Sequence, residues 1–229
     1  AAGDAATVTG LTGLTKITLT GEATVAAADL NTAITRAEAV EGDGVTTKLE
    51  IDSVSKITGN YSALSDLISS EAARLLTDSV AGIIDQALEV TGGGTISVSE
   101  ANTLDGTTTG VITATITDTT VFTADGANND LTDLTDTNGN NAYTITFAEA
   151  DATGLSAANV IAVDAKTTVD LVASNLTALA SSDLDDVNTV LASAAGDAAT
   201  VTGLTGLTKI TLADTSVAAA DLNTAITRA

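Results

Sequence analysis

Residues Ala1–Leu19 read AAGDAATVTGLTGLTKITL, and Ala194–Leu212 read the same, 193 positions later. Val25–Ala37 (VAAADLNTAITRA) then recurs as Val217–Ala229 at an offset of 192, with Thr20–Thr24 shortened to Ala213–Ser216 between the identical stretches. A chain that copies itself this closely must fold so that each segment packs against a similar neighbour. The one-residue deletion marks Thr20–Thr24 as a surface loop, where changes of length are tolerated. The organisation read from this is one long repeat unit of about six coils over residues 1–193, the start of the next copy over 194–229, and no separate globular domain. Residue 1 already lies inside a repeat, so the stretch is expected to be an excerpt of a longer chain without a signal peptide of its own.

A shorter period lies inside the long one. Five segments carry an Asn with apolar residues at −4, −1 and +2: those around Asn31, Asn102, Asn159, Asn188 and Asn223. The gaps between them are 71, 57, 29 and 35 residues. The two long gaps each leave room for a diverged copy, at LSDLISS around Ile68 and DGANNDL around Asn129. Six steps then span Asn31 to Asn223, about 32 residues per step, the size of one supersecondary unit. A polar residue at one fixed place per unit is expected to satisfy backbone that would otherwise be buried without a partner, so the five Asn are read as a structural ladder.

Within each unit a short alternating segment suggests a strand: KITL at Lys16, KLEI at Lys48, TISVS at Thr95, VITATI at Val111, AYTITF at Ala142 and VDLV at Val169. Period-two alternation of β-branched residues buries one face. A helical turn bearing the Asn follows, best seen in Leu184, Val187, Val190 and Leu191, with Ser182 and Asp185 placed as an N-cap pair. Ser65–Leu88 is the longest helical pattern. These patterns predict a repeat solenoid, parallel β-helix-like or mixed α/β, of about 32-residue coils with short helical returns. A sandwich of independent domains would use larger core residues and longer units.

Composition agrees with a thin, regular core. The chain has no Pro, Cys, Met, Trp or His, with two Tyr and two Phe, and its 44% apolar fraction is almost all Ala, Val, Leu and Ile. Eight basic against 30 acidic residues give a net charge of −22. Such a surface repels phosphate backbones, so nucleic acid is not expected as a partner. Anionic membrane surfaces are disfavoured too, and no apolar run is long enough for a membrane span. Catalysis has little to draw on: without His or Cys, and with no GxSxG around any Ser, the chain is read as no enzyme.

Hard oxygen ligands do gather in Asp125–Asn141 (DGANNDLTDLTDTNGNN). Asp125, Asn128, Asp130, Asp133, Asp136 and Asn138 on a turning backbone make this loop the candidate metal site, with Ca²⁺ the ion such ligands suit. The order matches neither an EF-hand nor a Gly-rich nonapeptide, and a plain polar turn accounts for the same residues. Asp183, Asp185 and Asp186 form a second, sparser acidic group. Thr113, Thr115 and Thr117, with Thr144 and Thr146, alternate along two strands, as polar strand formers do on a solvent face.

The phrases TISVSEANTLDGTTTGVITATITDT and YTITFAEADATGLSAANVIAVDAKTTVDL resemble the degenerate repeats of giant tandem-repeat bacterial cell-surface proteins. Among these are the very large repetitive surface proteins of marine cyanobacteria and related adhesin and haemolysin-like repeats. The resemblance implies an extracellular, cell-surface location and a structural role in a filament, sheath or surface layer. A stalk of a large calcium-dependent adhesin is the alternative, and a glycan- or ice-binding solenoid a lesser one. The partners expected are further copies of the same repeat, in cis or head-to-tail, and cell-surface polysaccharide.

Overall fold

The computed structural model describes residues 16–20, 23–41, 48–51, 53–73, 76–77, 85–117, 130–147, 155–195 and 200–228. Short strands alternate with helices throughout. The first third holds β1 (Lys16–Thr18), β2 (Thr24–Ala26), α1 (Ala27–Glu41), β3 (Lys48–Glu50), β4 (Lys56–Gly59), α2 (Tyr61–Ala73) and β5 (Leu76–Thr77). The middle holds β6 (Ala87–Val90), β7 (Thr95–Ile96), α3 (Val98–Asp105), β8 (Ile112–Ile116), a 3-10 turn (Leu131–Asp133) and β9 (Ala142–Thr144). The last third holds α4 (Ala157–Asp164), β10 (Leu171–Val172), β11 (Ala178–Ser182), α5 (Leu184–Ser193), β12 (Val201–Thr202), a 3-10 turn (Leu204–Gly206), β13 (Lys209–Leu212) and α6 (Ala219–Arg228).

Every strand pair among the described residues is parallel. The largest sheet has six strands, in the order β2-β4-β6-β8-β7 with β9 also on β8. Its register aligns apolar residues in a row: Val25 beside Ile57, Ile57 beside Leu88, and Leu88 beside Ile112. The last three are fully buried. Along β8 the pattern strictly alternates, with Ile112, Ala114 and Ile116 inside and Thr113 and Thr115 outside. Helices cover the buried side: α1 packs on α2, α4 on α5 and α5 on α6. In α1 the buried stripe is Ala27, Leu30 and Ile34, at the spacing a helix needs to present one apolar face. Neighbouring segments approach closely at Gly110, where an added Cβ would collide with the Gln86 carbonyl oxygen, so no larger residue fits there.

The expectation of a repeat solenoid of about 32-residue coils is corrected. The described residues form a mixed α/β fold with a six-stranded parallel sheet and six helices. Pairing does not run as one continuous ladder: it breaks into four separate sheets, and β8 pairs with three different strands. Paired residues lie 32 positions apart at Lys16 and Lys48, 24 apart at Leu88 and Ile112, and 20 apart at Thr95 and Thr115. The segments between paired strands are thus of unequal length, and the loops absorb the difference while the apolar row of Ile57, Leu88 and Ile112 stays aligned.

The long helical pattern over Ser65–Leu88 is corrected as well. The helix ends at Ala73, Leu76–Thr77 is a strand, and Ala87–Val90 is another. Apolar residues three and four apart suit short strands as readily as a helix when the run is this aliphatic.

Replacing fully buried Leu88 with Ala should cost about 2–5 kcal/mol, the range for deleting a core Leu. Thr113→Ala on the exposed side of the same sheet should change stability by less than about 0.5 kcal/mol. Urea denaturation of the two variants beside the parent protein checks both.

Candidate functional site

The recurring Asn residues sit on helices, and three of the five reach across to a neighbouring segment. Asn31 in α1 donates from Nδ2 to the Ala63 carbonyl in α2 at 2.9 Å, 32 residues on. Asn102 in α3 donates to the Asp133 carbonyl at 3.0 Å, and its Oδ1 accepts from the Thr135 N–H at 2.7 Å and from the Thr135 hydroxyl at 3.0 Å. Asn188 in α5 donates to the Asp221 carbonyl in α6 at 3.4 Å. These three make rungs from side chain to backbone. Asn159 differs: its Oδ1 accepts from the Ser156 N–H and hydroxyl, closing a capping box at the start of α4. Asn223 is exposed on α6.

Hydroxyls make a second set of links that the sequence did not reveal. Ser53 and Ser55 donate to the carbonyls of Leu19 and Ala23 at 2.6 and 2.8 Å. Thr117 does so to Ile96, Thr167 to Tyr143, Thr168 to Asn141, Thr202 to Leu171 and Thr208 to Thr177, all within 3.2 Å. Two helix starts are also held from a later segment, the Ala157 N–H by the Ser182 hydroxyl and the Leu184 N–H by Asp214. Ser182 therefore does not cap α5 as its spacing to Asp185 suggested; Asp183 does, accepting from the Asp185 N–H at 2.9 Å.

Of the candidate calcium ligands, Asp125 and Asn128 lie outside the described residues. The others serve their own loop. Asp133 accepts from the Asp130 N–H at 3.2 Å across the 3-10 turn, and Asp130 is buried at the start of that turn. Asp136 accepts from the Asn140 and Asn141 N–H groups at 3.1 and 3.4 Å, while Asn138 points to solvent. Among the described residues no three acidic side chains gather as a metal-ligating group.

The most developed polar cluster is centred on Asp105, which lies at the end of α3 and is only 5% exposed. Its carboxylate accepts from the Thr137 hydroxyl at 2.6 Å, the Thr137 N–H at 3.1 Å and Asn141 Nδ2 at 2.8 Å. Asn141 in turn accepts from the Ile112 N–H at the start of β8. One carboxylate thus ties a helix end, a turn and a strand start together. Burial pushes the Asp105 pKa up, but hydrogen bonds from Thr137, Asn141 and Thr135 outweigh it and hold the group below the ordinary carboxylate value. Nothing local marks Asp105, since its partners come from 30 to 36 residues away.

Two further groups are perturbed. Burial raises the Tyr143 phenol, and the nearby charges of Asp105 and Asp136 raise it more. Its fully buried hydroxyl has no hydrogen-bond partner among the described residues and stays protonated. Burial also raises the Asp164 carboxyl, and Asp170 adds to this, against a lowering hydrogen bond from the Thr200 hydroxyl at 3.0 Å.

No family model, curated protein or solved structure matches the chain. The geometry must carry the argument alone. Among the described residues no helix is long and apolar enough to cross a membrane. What the described polar side chains do is join segments far apart in sequence.

The two carboxyls predict opposite pH limbs. Asp164, with its pKa raised above 3.8, favours the folded state once protonated, so acidification from neutrality stabilises. Relief of repulsion among the acidic excess acts in the same direction. Asp105, with its pKa lowered below 3.8, contributes stability that is lost as pH falls through its folded value. Tm should therefore rise as pH falls from neutrality toward the ordinary carboxylate range, and fall again once pH drops below that range and Asp105 is protonated. Asp105→Asn should lower stability at pH 7 by about 1–3 kcal/mol and shrink the acid fall, which calorimetry across pH will show.

Because Asp133 and Asp136 already accept backbone N–H groups, about 1 mM calcium should raise Tm no more than magnesium at equal ionic strength. A larger, calcium-specific rise that Asp136→Asn removes would place an ion in the loop.

Proposed function

We propose that this chain is a structural repeat segment of an extracellular filament, sheath or surface layer, holding its shape under load rather than transforming a substrate. The observation that carries this reading is the density of hydrogen bonds between segments about 30 residues apart. Asn31 to Ala63, Ser55 to Ala23, Thr137 to Asp105 and Thr208 to Thr177 are examples. Parallel strand pairs add the same kind of link along the chain. Force applied along such a chain is shared among many transverse bonds, each worth about 1 kcal/mol net. The acidic surface keeps a long polymer soluble and disperses its neighbours. The near-identical copies at 1–19 and 194–212 suit a protein whose length is set by adding segments.

The resemblance to giant cell-surface repeat proteins supports the same location and role. Cell-surface polysaccharide is a partner for the Thr-bearing outer face of β8 and β9, where Thr113, Thr115 and Thr144 are exposed.

Antibodies raised against this chain and viewed by immunogold electron microscopy on intact cells test the proposal. Gold is expected at regular intervals along a filament, or across a surface layer, that contains this chain by mass spectrometry. Gold confined to the cytoplasm, or clustered only at one end of an appendage, overturns it.

A further inference from the structure

Asn followed by Gly occurs once in the sequence, at Asn138–Gly139. The pair lies at the tip of the loop between the 3-10 turn of Leu131–Asp133 and β9, and both residues are exposed. Thr137 and Asn138 make the turn, and Gly139 follows with a φ of +67°. A Cβ added at Gly139 would meet nothing within 4 Å, so the space around it is open. Among the described residues neither the Asn138 side chain nor the Gly139 N–H makes a hydrogen bond.

The residues on either side are anchored. Before the tip, the Thr137 N–H and hydroxyl donate to Asp105. After it, the Asn140 and Asn141 N–H groups donate to Asp136, and Asn140 Nδ2 donates to the Thr109 carbonyl at 3.2 Å. Asn141 Nδ2 donates to Asp105, its Oδ1 accepts from the Ile112 N–H, and its carbonyl accepts from the Thr168 N–H at 2.8 Å. Two unbonded residues thus lie between two fixed points.

We infer that Asn138 is a self-modification site, where the Gly139 nitrogen displaces the side-chain amide and the product loosens the anchorage of β8. The Gly139 nitrogen attacks the Asn138 side-chain carbonyl carbon and forms a C–N bond. The side-chain nitrogen leaves as ammonia, taking up the Gly139 N–H proton, and a succinimide ring remains. Water then opens the ring. Breaking the bond to the side-chain carbon gives an ordinary aspartate. Breaking the bond to the main-chain carbon gives isoaspartate, whose backbone runs through the side-chain methylene and is one carbon longer. Water enters and ammonia leaves, and nothing is oxidised or reduced.

The step needs a following residue without a Cβ in the way and an amide not held elsewhere, and glycine meets the first need. Asn60 and Asn175 are exposed as well but meet neither. They precede Tyr61 and Leu176, Asn60 Oδ1 accepts from the Ala63 N–H, and Asn175 Nδ2 donates to the Phe147 carbonyl. The new charge at Asn138 matters little, being exposed and screened on a chain already at −22. The added backbone carbon matters more. It lengthens a loop fixed at Thr137 and Asn140, so one side must shift, and Asn141 carries that shift to Asp105 and Ile112. The inference goes beyond the structural reading and holds wherever the chain is located.

Peptide mapping by mass spectrometry on the full chain, after storage at mildly alkaline pH, tests it. Asn138 is expected to lose its amide, mostly to isoaspartate, while Asn60 and Asn175 keep theirs. Tm of the stored parent should fall, and Asn138→Ser stored beside it should hold its Tm. Fresh Asn138→Asp, which carries the charge without the extra carbon, should match the fresh parent. An Asn138 that keeps its amide as long as Asn60 and Asn175 do overturns the inference. So does a stored parent rich in isoaspartate whose Tm equals that of stored Asn138→Ser.

Discussion

Parallel strands of two to five residues make few backbone hydrogen bonds with each neighbour. At about 1 kcal/mol net apiece these cannot repay the entropy of ordering the loops between them. What the fold depends on is reinforcement of each short pair by side chains that bond the adjacent segment's carbonyl. Thr167 illustrates it: its hydroxyl donates to the Tyr143 carbonyl at 2.7 Å and accepts from the Tyr143 N–H at 3.0 Å, replacing a strand neighbour where no strand is present. Asn102 does the same for Asp133 and Thr135. The abundance of Thr thus has two causes, a solvent-facing role on strands and a bonding role at their ends.

The core is shaped by the same requirement. Segments that must lie close enough for a short side chain to reach the next carbonyl leave a narrow interior. Ile57, Leu88 and Ile112, fully buried in one cross-strand row, fill such a space. Two aromatics join this interior, Tyr143 and Phe147, both fully buried in and just after β9. The Phe147 carbonyl is held by Asn175 Nδ2 at 3.0 Å. Among the described residues Lys56 pairs with Glu89 at 2.9 Å, a half-exposed surface contact that contributes little.

Much of the strand pattern was legible in the sequence, because alternation of β-branched residues has one simple cause. Lys16, Lys48, Thr95, Val111, Ala142 and Val169 each mark or adjoin a strand. The helix of Leu184, Val187, Val190 and Leu191 was legible for the same reason, with all four buried. Its cap was not: Ser182 and Asp183 are both competent caps, and only the nearness of Ala157 draws the Ser182 hydroxyl elsewhere. The Asp105 cluster was illegible because its partners, Thr137 and Asn141, become neighbours only after folding. The acidic loop was legible as composition, yet composition does not say whether a carboxylate meets a cation or a backbone N–H. Uniform coils were expected because an average spacing hides loops of unequal length, such as those behind the 32-residue offset of Lys16 and Lys48 and the 20-residue offset of Thr95 and Thr115.

The duplicated sequence separates what a segment carries in itself from what a neighbour confers. Ala27–Arg36 and Ala219–Arg228 are both helical, though one is covered by α2 and the other is largely exposed. A helix satisfies its backbone internally, so covering a face changes its stability but not its form. Thr24–Ala26 and Ser216–Ala218 differ in form, since a strand satisfies its backbone only with a partner. The first has β4 beside it, while the second follows a one-residue deletion and carries Ser216 where the first has Thr24. In a chain built this way, helices can be present before their neighbours arrive, while strands and the burial of Leu30 and Ile34 are completed by the next segment.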